Sequence, residues 1–252
     1  MKAIWTISSL TFREAVRSKI LYLLLFFSVF LIAFSWIIGK LTVGDEMKII
    51  KDLGLSSIHF FGILITVFIG IDLVFREMEK RTVYLILSKP VARYQFMLGK
   101  FLGLATTLLC VLTVLAAMFY AILALKGESN LRVMTGFYLI YLEWLLMAGI
   151  ALLFSSFSTP LLSTMMTLAL FFAGHLTQSL LLLQRRIPSA NWLLSVLYYA
   201  LPNLEVFNIR SQLVHDLSVS PFYFLQSTLY WALYLATLLM FSIYIFQKKD
   251  FV

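Results

Sequence analysis

Charge is what this chain has least of. Only 13% of its 252 residues are Asp, Glu, Lys or Arg, and 62% are hydrophobic, against about 25% and about 45–50% in ordinary soluble domains. That balance excludes a water-soluble globular protein. Apolar runs of bilayer length use up most of the chain and leave no room for a soluble catalytic domain. There is one cysteine, Cys110, inside an apolar run, so neither an intrachain disulfide nor a cysteine metal site can form, and inert burial is expected for it. His59, His175 and His215 are too scattered in sequence to suggest a metal site. A phosphate-cradling loop is missing too. Gly39-Lys40 and Gly99-Lys100 could each end a Gly-x-x-x-x-Gly-Lys motif, but Phe34 and Tyr94 stand where its first glycine belongs. The chain is not expected to bind ATP in that manner. With no Ser-His-Asp or paired-carboxylate arrangement either, no catalytic residue, cofactor or metal is assigned to the chain itself.

What is present is a series of long apolar runs. Six spans of near bilayer length are placed at about 20–39, 56–75, 101–125, 134–156, 160–183 and 222–246. The fold class is an all-α integral membrane protein, with residues 1–252 forming a single transmembrane domain. The net charge of +8 does not point to nucleic acid, because the cations gather at span ends, where lipid headgroups meet them. Twelve Lys and Arg fall on the side of the termini, against eight on the other, whose first loop also carries Asp45, Glu46 and Asp52. Both termini are therefore expected in the cytoplasm, with the protein multi-pass in the inner membrane of the cell. Residues 1–19 place Lys2, Thr6, Ser9, Arg13 and Arg17 at helical spacing among apolar residues, which predicts an interfacial helix rather than a cleaved leader.

The most charged stretch lies between the second and third spans, at 76–100. Arg76, Glu77, Glu79, Lys80 and Arg81 precede the uncharged Thr82–Leu87, and Pro90 bars an unbroken helix through 88–90. This predicts a short amphipathic helix, a break and a basic entrance to the next span. Glu77 or Glu79, Thr82, Leu85, Leu87, Ser88, Pro90, Val91, Arg93, Gly99 and Lys100 stand in the order of a known pattern. The pattern is an acid, Gly-Thr, a Leu-rich turn, Ser-x-Pro-Val-x-Arg and Gly-Lys. In this it resembles the first cytoplasmic loop of the type-2 ABC exporter permeases, with Arg81 in place of the usual glycine. The resemblance implies that this segment is a coupling helix that docks on a separate ATPase through Glu77, Glu79, Arg81, Thr82, Ser88, Pro90 and Arg93. It also fits the N-terminal helix, since such permeases begin with an interfacial elbow helix.

Residues 184–221 form the longest connection. Trp192, Leu193, Leu194, Val196, Leu197, Tyr198 and Tyr199 are too apolar for water and too few to span, so an outer re-entrant or interfacial segment is expected. Its continuation from Leu201 to Arg210 is similar to the Pro-Asn-Leu-x-x-Phe segment of type-2 ABC permeases, including those of nitrous-oxide-reductase maturation.

Ionisable residues inside spans call for a functional reading. Asp72 lies four residues before Arg76, the spacing of an interfacial ion pair. Glu143, in the middle of the fourth span, either meets a cation or hydroxyl on another helix or faces a wet cavity. His59, Gly62, Thr66 and Gly70 form a small-residue stripe suited to close packing, within the chain or against a second permease. Thr164, Thr167, Phe171, His175 and Gln178 share one face of the fifth span, which calls for another helix or an aqueous path beside it. His175 is either simply hydrogen-bonded or a titrating group facing water. The resemblance implies that the second and fifth spans border the translocation path or the dimer interface.

Taken together, the resemblance implies a permease subunit of an ATP-driven ABC exporter. Its partners would be a second permease and two cytoplasmic ATPase subunits, with ATP and Mg2+ bound by the ATPases. Two rivals remain: an ion-gradient-driven transporter or channel, which needs a membrane-centre carboxylate cluster, and a non-transporting anchor or regulator of an ATPase.

Overall fold

The computed structural model describes residues 2–42, 44–79, 92–128, 132–177, 179–180 and 191–248. Among these residues there are helices and no strands. In chain order they are α1 (Lys2–Val16), α2 (Lys19–Leu41), α3 (Glu46–Glu79), α4 (Arg93–Leu125), α5 (Arg132–Ser155), α6 (Pro160–His175), α7 (Asn191–Ala200), a 3-10 turn at Leu204–Phe207, α8 (Arg210–Val214) and α9 (Pro221–Lys248).

Among the described residues five helices are long and apolar enough to cross a membrane: α2, α3 over Glu46–Leu73, α4, α5 and α9. Several exceed the runs read from hydropathy. At 1.5 Å per residue, the 34-residue α3 is about 51 Å long and outreaches a hydrocarbon core of about 30 Å at one end or both. The expected span at 160–183 is the exception. Its continuous helix, α6, has 16 residues, about 24 Å.

Local chemistry sets the helix ends. Pro160 opens α6, where its missing N–H costs nothing. Gly127 closes α4 in the left-handed region, at φ 78°. The Gly127 and Glu128 N–H groups return to the carbonyls of Ala124 and Leu123, which satisfies the end of the helix. At the end of α6, Gly174 leaves the space into which Leu204 and the Pro202 carbonyl fit; a Cβ there would lie 2.7–2.8 Å from them. The Thr177 hydroxyl then donates to Asn203 Oδ1 at 3.0 Å. The end of α6 is thereby tied to the strap formed by residues 201–217.

Two helices form the centre. The apolar window of α3 is 72% buried and that of α5 78%, while α2 and α9 are only 22% and 17% buried. Phe26, Phe30, Leu229 and Phe241 on the latter pair are exposed, a surface suited to lipid and not to water. Cys110 is exposed on α4. It lies on the outward side with Leu102, Leu109 and Val114, which corrects the expected burial.

The helix α1 lies on α4. Lys2, Thr6, Ser9, Arg13 and Arg17 are all exposed, and Ile7, Ser8, Thr11 and Ala15 are buried. Gly99 and Gly103 permit this contact. A Cβ at Gly103 would come within 2.7 Å of the Ser8 carbonyl, and one at Gly99 within 2.7 Å of Ile7, the close approach typical of small-x-x-x-small packing. Lys100 is buried between them and reaches Glu14 at 3.4 Å.

Candidate functional site

Three ionisable residues on three different helices meet at one place. Glu143, halfway along α5, is 1% exposed, and its Oε2 lies 2.8 Å from His59 Nε2 on α3. Its other oxygen, Oε1, lies 3.5 Å from His175 Nε2 at the end of α6. The two imidazole rings are 5.6 Å apart between centroids, and Phe171 packs on both. Gly62 makes the approach of α3 to α5 possible, because the Trp144 ring fills the space that a Cβ would take. The residue beside the carboxylate thus sets the spacing on which the His59 contact depends.

The His175 tautomer follows from its neighbours. Its Nδ1 is 3.1 Å from the Phe171 carbonyl oxygen, which can only accept, so Nδ1 carries a proton. In the neutral ring, Nε2 then presents a lone pair to Glu143 Oε1, itself an acceptor. Both atoms are buried, and neither has a hydrogen-bond partner. Two buried lone pairs facing each other are unfavourable until something positive lies between them.

Beside the cluster is a cavity of about 260 Å3. Its floor is formed by His59, Glu143 and His175, and its wall by Phe207, Ile209 and Arg210 of the strap. Leu204, Phe207 and Ile209 are buried. The Tyr223 hydroxyl donates to the Val206 carbonyl at 2.7 Å, and the Asn203 N–H donates to the Tyr230 hydroxyl at 2.8 Å. The segment whose text is similar to Pro-Asn-Leu-x-x-Phe is therefore the cavity's wall, while α7 before it leaves Trp192 and Tyr199 exposed. Arg210 is the cavity's cation, turned toward Asp52 at 3.1 Å and the Ser56 hydroxyl at 2.5 Å.

A second ionic cluster closes the same end of the bundle. Lys51 is 1% exposed and holds Asp216 at 2.9 Å, with Glu128 also in contact. Asp216 sits at φ 54°, a costly conformation for a non-glycine residue. It is fixed by Lys51 at its side chain and by Arg132, which donates to its carbonyl at 2.9 Å.

The remaining candidate residues are placed as follows. Thr66 and Thr167 are buried, with their hydroxyls bonded to the Gly62 and Ser163 carbonyls. Thr164 bonds the Pro160 carbonyl. Gly70 faces Leu104 and Ala151. Gly62, Thr66 and Gly70 thus pack inside this chain. Arg93 donates to the Phe246 and Gln247 carbonyls, at 3.2 and 2.5 Å, and caps the end of α9. The side chains of Arg76, Glu77 and Glu79, and all of Arg81, Thr82, Ser88, Pro90 and Gln178, lie outside the described residues.

Sequence spacing missed two things: the meeting of His59 with His175, and the roles of Lys51, Arg210 and Asp216. His59 and His175 are brought together in space, while His215 lies apart and exposed. The available signal was that His59, Glu143 and His175 are ionisable groups within three apolar runs, each of which needs a partner in lipid.

An all-helical membrane protein with several apolar spans around a buried polar cluster and a side cavity is the class this arrangement defines. A family model described as ABC-2 family transporter protein matches residues 5–251. The chain belongs to that family of ABC-2 permeases, the membrane components of ABC transporters. A search of curated proteins found no match.

Proposed function

We propose that this chain is the membrane-spanning permease subunit of an ATP-driven ABC exporter, worked by a separate ATPase. The observation that carries the reading is the polar cavity at His59, Glu143 and His175, set between α3, α5 and α6 of a chain in the ABC-2 family. A bundle built only to anchor another protein has no use for a carboxylate and two imidazoles in its centre.

In this reading α6 and its continuation past His175 form the remaining span, which brings the number to six. The end of the bundle that carries α1, the start of α4 and the end of α9 faces the cytoplasm, and α1 lies in the interface as an elbow. The contacts of Lys100 with Glu14 and of Arg93 with the end of α9 support grouping these parts on one side. The coupling segment at 76–92 joins α3 to α4, so a push on it acts directly on the helix that bears His59. Two permeases and two ATPases make the working assembly, with ATP and Mg2+ on the ATPases. Closure of the ATPases shifts the bundle between two packings, and the cavity changes its accessible side.

The test is co-purification with a partner ATPase, followed by measurement of hydrolysis and transport in proteoliposomes. Reversal of charge at Glu77 and Glu79, or Pro90→Ala, is expected to leave hydrolysis running while transport stops. A chain that transports without an ATPase, with those variants unaffected, would overturn the proposal. The carboxylate–histidine cluster gives some support to one rival, a transporter driven by a proton gradient. That rival predicts transport that follows an imposed pH difference in the absence of ATP.

A further inference from the structure

We propose that His59 Nε2, His175 Nε2 and a carboxylate oxygen of Glu143 form a three-ligand site for a divalent first-row transition cation, with the fourth position open to the cavity. The inference concerns binding at this cluster and holds whether or not the chain transports anything.

Three observations carry it. First, one ligand atom from each residue lies within 4.8 Å of the other two, and the two contacts to Glu143 are 2.8 and 3.5 Å. A tetrahedral ion with bonds of about 2.0–2.1 Å holds its ligand atoms about 3.3 Å apart. The gaps to the carboxylate, from Oε2 to His59 and from Oε1 to His175, already bracket that spacing, and a turn of the carboxylate together with the His59 ring brings one oxygen and both Nε2 atoms to it. Second, His175 is prepared as a ligand. Its Nδ1–H is engaged by the Phe171 carbonyl, which fixes the ring and leaves the Nε2 lone pair directed inward, as the outer partners of metal-bound histidines do. Third, the Nε2 lone pair and Glu143 Oε1 are buried without a hydrogen-bond partner, and a cation satisfies both at once.

The donor set selects the ion. Two imidazoles and one carboxylate suit Zn2+, Co2+, Ni2+, Cu2+ or Fe2+, whereas Mg2+ and Ca2+ require oxygen and Cu+ prefers sulfur. Three protein ligands with one open position is the arrangement of exchangeable sites and not of closed structural ones. Arg210, the cation lining the cavity, is balanced by Asp52. On loading, a neutral His59 moves its proton from Nε2 to Nδ1 and a protonated one releases its Nε2 proton to water. Because the ion competes with protons for both imidazoles, binding weakens as pH falls.

The full chain, purified in detergent, is titrated with Co2+ near neutral pH and then with Zn2+. The expected result is one Co2+ per chain with the intense visible bands of tetrahedral cobalt, displaced by Zn2+. His59→Gln, Glu143→Gln and His175→Gln are each expected to weaken binding at least as much as loss of an outer partner of a metal ligand does, about 10- to 100-fold. His215→Gln, at the exposed third histidine, is expected to leave it unchanged. Thermal melting shows whether each variant is folded. His175→Cys in a Cys110→Ser background keeps a ligand, and binding there should add a sulfur-to-cobalt charge-transfer band that a purely structural histidine would not produce. Absence of stoichiometric binding to the wild type overturns the proposal. So does binding that survives the combined His59→Gln and His175→Gln substitutions, or binding to the cysteine variant without the new band.

Discussion

Among the described residues two buried ionic clusters lie in this bundle, and they are finished to different degrees. Around Lys51 every charge is answered: the ammonium holds Asp216 and Glu128, and Asp216 is held again through Arg132. Around Glu143 one oxygen is answered by His59, while the other faces a lone pair of His175. Both clusters bury a charged side chain to 1% exposure, so desolvation alone does not separate them. Completeness does. A satisfied cluster fixes one arrangement of α3, the end of α4 at Glu128 and the strap. An unsatisfied one leaves an unfavourable contact that a proton, an ion or a shift of helices relieves. The first acts as a latch and the second as a site.

Substitutions at the two clusters should therefore differ in sign. The largest effect is expected from Glu128→Gln combined with Asp216→Asn, which strands the Lys51 ammonium in the protein. A loss of about 3 kcal/mol is expected, at the lower end for a broken buried pair because Asp216 is half exposed. It would be read as a lowered melting temperature in detergent. If melting does not change, Lys51 is no latch.

Gly62→Ala comes next. Its methyl would overlap the Trp144 ring, and overpacking of this kind costs about 1–3 kcal/mol. The same variant should also widen the His59–Glu143 contact, visible as weaker Co2+ binding. Full stability together with unaltered binding would show that α3 and α5 are not held by this contact.

A smaller effect of opposite direction is expected for Glu143→Gln. The amide can donate to His175 Nε2 and accept from His59, which removes the facing lone pairs. Stability should be unchanged or raised by up to about 1 kcal/mol, while transport and metal binding are lost. A large drop in melting temperature would place Glu143 with Lys51 among the structural charges.

The smallest effect lies at the rim. Lys48, 2.7 Å from Asp45, holds that exposed carboxyl below its ordinary range by hydrogen bond and charge. A depressed carboxyl contributes stability above its unfolded pKa and loses it as pH falls through the folded value. The slight difference in melting between wild type and Asp45→Asn should therefore be present near neutral pH, begin to shrink near the ordinary carboxyl value of about 4 and vanish only below the depressed folded value. Persistence of that difference in acid would rule out the ion pair as its cause.

The membrane class, most spans and the buried faces could be read from apolar runs, because a bilayer punishes polar exposure over lengths that sequence displays directly. The α1 helix was legible for the same reason, through the spacing of Lys2, Thr6, Ser9, Arg13 and Arg17. The hidden part was which polar groups meet. His59 and Glu143 are 84 residues apart, and no local period connects them. Their meeting depends on Gly62 admitting Trp144, a packing fact. Hydropathy could not separate central from peripheral spans either. Mean hydropathy is 2.0 for both α3 and α5 and 1.8 for α9, yet the first two form the core and α9 the rim. The Pro-Asn-Leu text signalled its own importance, but only its fold shows it as the wall of the cavity.

The central claim is that the cavity beside Glu143 changes its accessibility when a partner ATPase turns over. It is tested most directly with Ile140→Cys, which lines the cavity, in a Cys110→Ser background. The chain, assembled with its ATPase in proteoliposomes, is labelled by a membrane-impermeant maleimide in the nucleotide-free state and after trapping with ATP and vanadate. The account predicts labelling rates that differ by about tenfold or more, equivalent to a shift in the two-state balance of about 1.4 kcal/mol or more. Equal rates in the two states would contradict it.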